Sequence, residues 1–178
     1  MAPVRTPRHA MAALVLVAVT ACGAPAQVEG GSTSTGGDVA IQQAVPALHT
    51  LDFGGQYRFD DGVAVSVSAP KPFKPSNSAY PRSDRAVAFE IIIRNDGDQP
   101  YRLSGLSVSA TVGDVASKQV VDSTQGYSGI VDAGKDVQPG RDVRVNLAFT
   151  APPEPAEMRL TLRPTATSPV IAVYCGPA

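Results

Sequence analysis

From about Leu51 onward apolar residues fall at every second position, and that period of two constrains the fold more than any other feature of the chain. Val63, Val65 and Val67 alternate with Ala64, Ser66 and Ser68, and Val87, Phe89, Ile91 and Ile93 alternate with Ala88, Glu90, Ile92 and Arg94. The same rhythm runs through Leu106, Val108, Ala110 and Val112, through Val143, Val145, Leu147 and Phe149, and through Met158, Leu160 and Leu162. Ile171, Val173 and Cys175 continue it near the end of the sequence. Successive side chains of a strand point to opposite faces, so each run describes a strand with one face inward and one wet. No segment of this region shows a period of 3.6.

Turn signals separate the runs. Asn95-Asp96-Gly97-Asp98 tolerates the left-handed backbone of a tight reversal, Pro139-Gly140 is a turn pair, and Pro152, Pro153 and Pro155 cannot join a central ladder. Seven to eight antiparallel strands with frequent turns predict an all-β domain over residues 51–178, an immunoglobulin-like β-sandwich, with a closed barrel as the structural alternative. About 128 residues bury enough surface to do without a disulfide staple.

The segment also resembles a family. The Val63–Val67 strand with its variable following loop, the Val87–Ile93 strand running into Asn95-Asp96-Gly97-Asp98, and Pro139-Gly140 leading through Val143–Phe149 to Ala151-Pro152 are its shared features. Together, over roughly Gln56 to Leu162, they resemble the telokin-like, immunoglobulin-fold domains of unknown function on Gram-positive surface lipoproteins. That resemblance implies a surface module and offers no catalytic residues to carry over.

The N-terminal residues are built on another plan. Arg5 and Arg8 precede a short apolar run, Ala10 to Ala21, of signal-peptide length and too short to span a bilayer. The run closes on Val19-Thr20-Ala21-Cys22, which looks like a lipobox: cleavage between Ala21 and Cys22, and a diacylglyceryl group on the Cys22 thiol. Residues 1–21 then form a lipoprotein signal peptide, and the mature protein is expected at the outer face of the cytoplasmic membrane, held through lipid on Cys22. Residues 22–50 read as a tether. Gly30-Gly31-Ser32-Thr33-Ser34-Thr35-Gly36-Gly37 is polar and of low complexity, with little to bury. About 28 such residues span roughly 30 Å root-mean-square. In Asp38 to Leu51 the residues Ile41, Val45, Leu48 and Leu51 could form a weak helical turn or an extended approach strand, and the segment is left irregular.

Chemistry is scarce in the remainder. Of two histidines, His9 lies in the signal peptide and His49 in the tether, so no Ser-His-Asp or Cys-His arrangement is available to the domain. Cys175, His49 and Met158 are too scattered for a zinc or copper site, and neither a metal nor a cofactor is expected. After removal of Arg5 and Arg8 the chain carries 13 basic residues against 16 acidic ones, with no basic stripe to follow nucleic acid. Asp60, Asp61, Glu90, Asp96 and Asp98 are the surviving candidates for acid–base work, which a wall hydrolase would need as a pair converging in a cleft. The plainer reading makes them turn caps, and the domain is not expected to be an enzyme. Cys175 is expected to be a small buried hydrophobe of the last strand, with an intermolecular disulfide or redox-sensing thiol as the alternative.

One segment stands apart. Ala69 to Arg85 joins two of the clearest strands, yet a hairpin needs only two to five residues. Pro70, Pro72, Pro75 and Pro81 restrict its backbone, Lys71, Lys74, Arg82 and Arg85 concentrate positive charge, and Phe73 and Tyr80 add apolar anchors. Lys71, Phe73, Lys74, Tyr80, Arg82 and Arg85 are therefore the candidate contact with a protein or an anionic wall component. The alternative is a tolerated insertion whose rings tuck over the sandwich edge.

Overall fold

The computed structural model describes residues 45–131 and 133–178. The expected signal peptide, its expected cleavage site at Ala21 and Cys22, and the Gly/Ser/Thr stretch lie outside the described residues. The described chain forms thirteen strands: β1 Ala47–Asp52, β2 Gln56–Arg58, β3 Val63–Val67, β4 Lys71–Phe73, β5 Ala86–Asn95, β6 Tyr101–Arg102, β7 Ser107–Val112, β8 Val115–Ser117, β9 Gln119–Val120, β10 Asp136–Val137, β11 Asp142–Thr150, β12 Glu157–Arg163 and β13 Val170–Pro177. Short 3-10 turns follow β6 and β9, at Leu103–Gly105 and Ser123–Gln125.

These strands make an all-β sandwich. One sheet runs in the order β1-β13-β12-β7-β8, the other β2-β3-β5-β11-β9 with β4 also paired to β5, and β6 pairs β10 separately. The long strands are those that the alternation marks out. Val63, Val65, Val67, Val87, Phe89, Ile91, Ile93, Val145, Leu147 and Phe149 from one sheet meet Ala110, Met158, Leu160, Leu162, Ala172 and Tyr174 from the other in a single core. Each large side chain removed from water there contributes about 1.5–3 kcal/mol toward the entropy of ordering the chain. The extra strands are two or three residues long and are held by ladder hydrogen bonds, so they leave no periodic signature.

The final strand takes the phase opposite to the expected one. Ala172 and Tyr174, not Ile171, Val173 and Cys175, face the core, and Cys175 is half-exposed. The Tyr174 ring spans the sandwich, and its hydroxyl donates to the Val65 carbonyl of the facing sheet at 2.7 Å. Val170-Ile171-Ala172-Val173-Tyr174 is apolar on both faces, so its alternation carried no direction. In register, Cys175 lies between Asp52 of β1 and Arg159 of β12.

β-structure also begins earlier than the composition break indicates. Ala47–Thr50, assigned above to the tether, belong to β1, which pairs in parallel with β13 from Ala47 opposite Val170 to Asp52 opposite Cys175. β1 forms the edge of its sheet and is exposed along most of its length, so backbone hydrogen bonds hold it and no apolar alternation announces it.

The outward face of the six-stranded sheet is covered as well. Ala86, Ala88 and Ala148 on the central strands pack with Ala79 and Val120 in a second apolar cluster, roofed by Phe73 and Tyr127. Alanines at these positions let the covering segments lie close to the sheet. At one end, the turns after β2 and β5 press together: a Cβ on Gly62, whose φ is +85°, would lie 2.6 Å from the Gly97 nitrogen. Asn95 is buried beside them and bonds on both sides, its amide donating to Gln99 and Val137 carbonyls at 2.7 and 2.8 Å and its oxygen accepting from the Gly97 N–H at 3.0 Å.

Candidate functional site

The Ala69–Arg85 segment lies across the edge of the second apolar cluster and is fastened to the sheet at several points. β4 within it pairs with the start of β5, Lys71 opposite Ala88 and Phe73 opposite Ala86. The Phe73 ring rests on Tyr127 with centroids 4.6 Å apart. Tyr80 and Val121 exchange backbone hydrogen bonds at 2.9 and 2.8 Å. Arg85 turns back to donate from Nη1 to the Pro152 carbonyl at 3.0 Å.

Asp122 is the keystone of this attachment. It is buried, and its carboxylate accepts from the Ser76 N–H at 2.7 Å, the Ser76 hydroxyl at 2.8 Å, the Thr124 hydroxyl at 2.7 Å and the Gln125 amide at 3.1 Å. These donors, the Ser76 backbone N–H foremost, hold its pKa below the ordinary carboxylate value despite desolvation. Gln125 also donates to the Lys74 carbonyl at 3.1 Å. Sequence reasoning missed Asp122, because Asp-Ser-Thr-Gln reads as an ordinary turn and its partner Ser76 is 46 residues away.

The six residues singled out in this segment divide accordingly. Phe73 and Arg85 are half-buried and take part in the attachment. Lys71, Lys74, Tyr80 and Arg82 are exposed, Tyr80 at 79%. Lys74 and Arg82 line one groove of about 430 Å³, together with Ser76, Asn77, Ser83 and Asp84. Lys71 borders a second, open depression of about 460 Å³ lined also by Ala88, Glu90, Tyr127 and Asn146. Beside Tyr80, Val121 is 42% exposed, so the bridge between them presents an apolar spot next to the cations.

Of the carboxylates considered for acid–base work, Asp61, Glu90 and Asp96 are engaged in the framework. Asp96 is bridged by Arg58 at 2.9 Å and Arg94 at 2.6 Å, and an Asp61 oxygen accepts the Val63 N–H at 3.1 Å. Asp60 and Asp61 line a groove of about 230 Å³ whose other walls are Phe59 and residues of the 165–170 turn. Glu90 lies on the outward face of β5 and reaches Arg144 at 3.6 Å. Among the described residues, no three His, Cys, Asp or Glu side chains come together as a metal site requires.

No protein-family model matches the chain, and no curated protein matches it in sequence. Solved structures do. A candidate lipoprotein of Bacillus subtilis, ycdA, superposes on 71% of the chain with a TM-score of 0.57 at 14% identity, and the match spans 39% of that protein. The yjhA protein of the same bacterium covers 69% of the chain with 97% of its own length, at a TM-score of 0.53 and 11% identity. At such identities the likeness is one of fold.

Proposed function

We propose that the chain is a cell-envelope lipoprotein, anchored through Cys22, whose β-sandwich is a non-catalytic binding module. The surface of that module formed by Lys71, Lys74, Tyr80 and Arg82 contacts a protein or wall component. The observation carrying this reading is the construction of the Ala69–Arg85 segment. Its base is pinned by Asp122, Phe73 and Arg85, while Lys71, Lys74 and Arg82 make no ion pair among the described residues. A slack insertion has no use for a preorganised base, and a structural flap has no use for unpaired cations.

The anchor rests on the Val19-Thr20-Ala21-Cys22 sequence and agrees with the candidate-lipoprotein status of one structural neighbour. The finer assignment, to telokin-like immunoglobulin-fold domains, rests on the order of its elements: β3, the variable segment, β5 with its Asn95 turn, and β11 after Pro139-Gly140. Crosslinking on intact cells followed by recovery of the lipidated protein tests the module. Replacing Lys74, Tyr80 and Arg82 together is expected to abolish partner recovery with the melting temperature nearly unchanged. Full recovery by that variant would remove this surface from the account.

A further inference from the structure

We propose that the groove between Lys74 and Arg82 binds a phosphate-bearing ligand, a phosphodiester polymer or a phospholipid headgroup. This inference deepens the reading above and rests on it. The first support is the distribution of charge. Between residues 69 and 85, Lys71, Lys74, Arg82 and Arg85 stand against Asp84 alone, a balance of +3, whereas over residues 45–178 13 basic residues face 14 acidic ones. The rest of that stretch is therefore net acidic, and the field it makes directs an anion to this one segment.

The second support is chemical. Lys74 and Arg82 line a single groove with Asn77 and Ser83, the Ser83 hydroxyl being already committed to the Arg85 carbonyl. An ammonium, a planar guanidinium fork and a carboxamide suit the several oxygens and compact charge of a phosphate better than an extended, neutral chain. The backbone beneath them is already ordered: the Lys74 carbonyl is held by Gln125, and Ser76 by Asp122. Binding then costs little ordering beyond the two long side chains. Tyr80, exposed next to Pro81-Arg82, offers a ring against which the carbon chain of a polyol or a glycerolipid can lie. Asp84 lines the same groove and opposes the anion, so its removal has a sign that can be stated in advance.

The full chain, carried in phosphatidylcholine vesicles, is titrated with poly(glycerol phosphate), and in a parallel arm is transferred to vesicles that also contain phosphatidylglycerol. Amide hydrogen exchange over residues 74–84 reports occupancy. Slowed exchange in one arm identifies the source of the phosphate. There K74E/R82E is expected to weaken binding by about tenfold or more, D84N to tighten it, and added salt to release it, with melting temperatures unchanged. Equal protection by polyglutamate or by uncharged polyglycerol overturns the phosphate assignment, and so does unaltered exchange in both arms. If exchange is unaltered but K74E/R82E still abolishes partner recovery from cells, only the phosphate inference falls. Loss of neither signal in the variant removes the segment as a contact altogether.

Discussion

Asp122 and Tyr174 are buried titratable groups whose shifted pKa values link the stability of the sandwich to pH. Asp122 is held ionised by four donors, so its folded pKa lies below its ordinary value of 3.8. Its contribution is whole above that value and is lost as the pH falls through the lower folded one. Asp122→Asn is expected to lower the melting temperature by several degrees at neutral pH, and the gap to the parent should narrow in acid. A constant gap across an acid titration of stability would contradict that. Tyr174 acts on the alkaline side. Burial pushes its phenol up to about 12, above an unfolded value of 10, so its stabilisation is complete below pH 10 and disappears as the pH rises through 12. The loss is on the order of 2 kcal/mol. Burial raises the Tyr101 phenol in the same direction, its hydroxyl donating to the Pro164 carbonyl at 2.7 Å. Tyr174→Phe is expected to cost about 1 kcal/mol at neutral pH, through the lost hydrogen bond to Val65, and to flatten the alkaline limb in denaturant titrations.

Among the elements, β1 shows best what was legible in the sequence and what was not. The long strands of both sheets are written in the chain because each buries one face, and burial selects apolar residues at alternate positions. β1 buries almost nothing, and its place is set by hydrogen bonds to β13 that any sequence without proline could make. β13 itself is apolar on both faces, so the period was visible while its phase was not. The candidate site divides in the same way. Lys74, Tyr80 and Arg82 stand out by composition in an overlong connection, but the Asp122 anchorage depends on contact between distant segments that no local pattern encodes. The structural argument about β1 has a direct test. A fragment beginning at Gln42 is expected to give an all-β spectrum and a cooperative melt, because it retains every described strand, β1 included. A fragment beginning at Phe53 lacks β1 and bares the edge of β13; it should melt at least about 5 °C lower and self-associate. Identical melts and monomeric behaviour for the two would make β1 dispensable.

For the whole molecule, the proposed binding raises the question of how the domain would be delivered to a partner. The sandwich can recognise a surface weakly and still act on it, provided an anchor keeps it close. Tethering replaces a bimolecular encounter with an effective concentration set by tether length. If residues between Cys22 and β1 act as the tether expected from their composition, a chain of that length would keep the domain within roughly 30 Å root-mean-square of the anchor. Under the proposed anchoring, a cation-rich groove of modest affinity would be occupied at the envelope even if it bound poorly in dilution. The anchor carries its own prediction, independent of what the groove recognises. Cys22→Ala removes the thiol proposed to take the diacylglyceryl group, so on that proposal the chain is expected to leave the membrane fraction or to persist as an uncleaved precursor. Mass measurement of the N-terminus, alongside fractionation, separates these results from a third one. A variant cut at the same bond and still membrane-bound would show that the domain reaches the envelope by its own surface. If the cut but unlipidated variant is released and its partner recovery falls with it, while the isolated domain keeps its melting temperature, then proximity rather than folding is what lipid on Cys22 supplies.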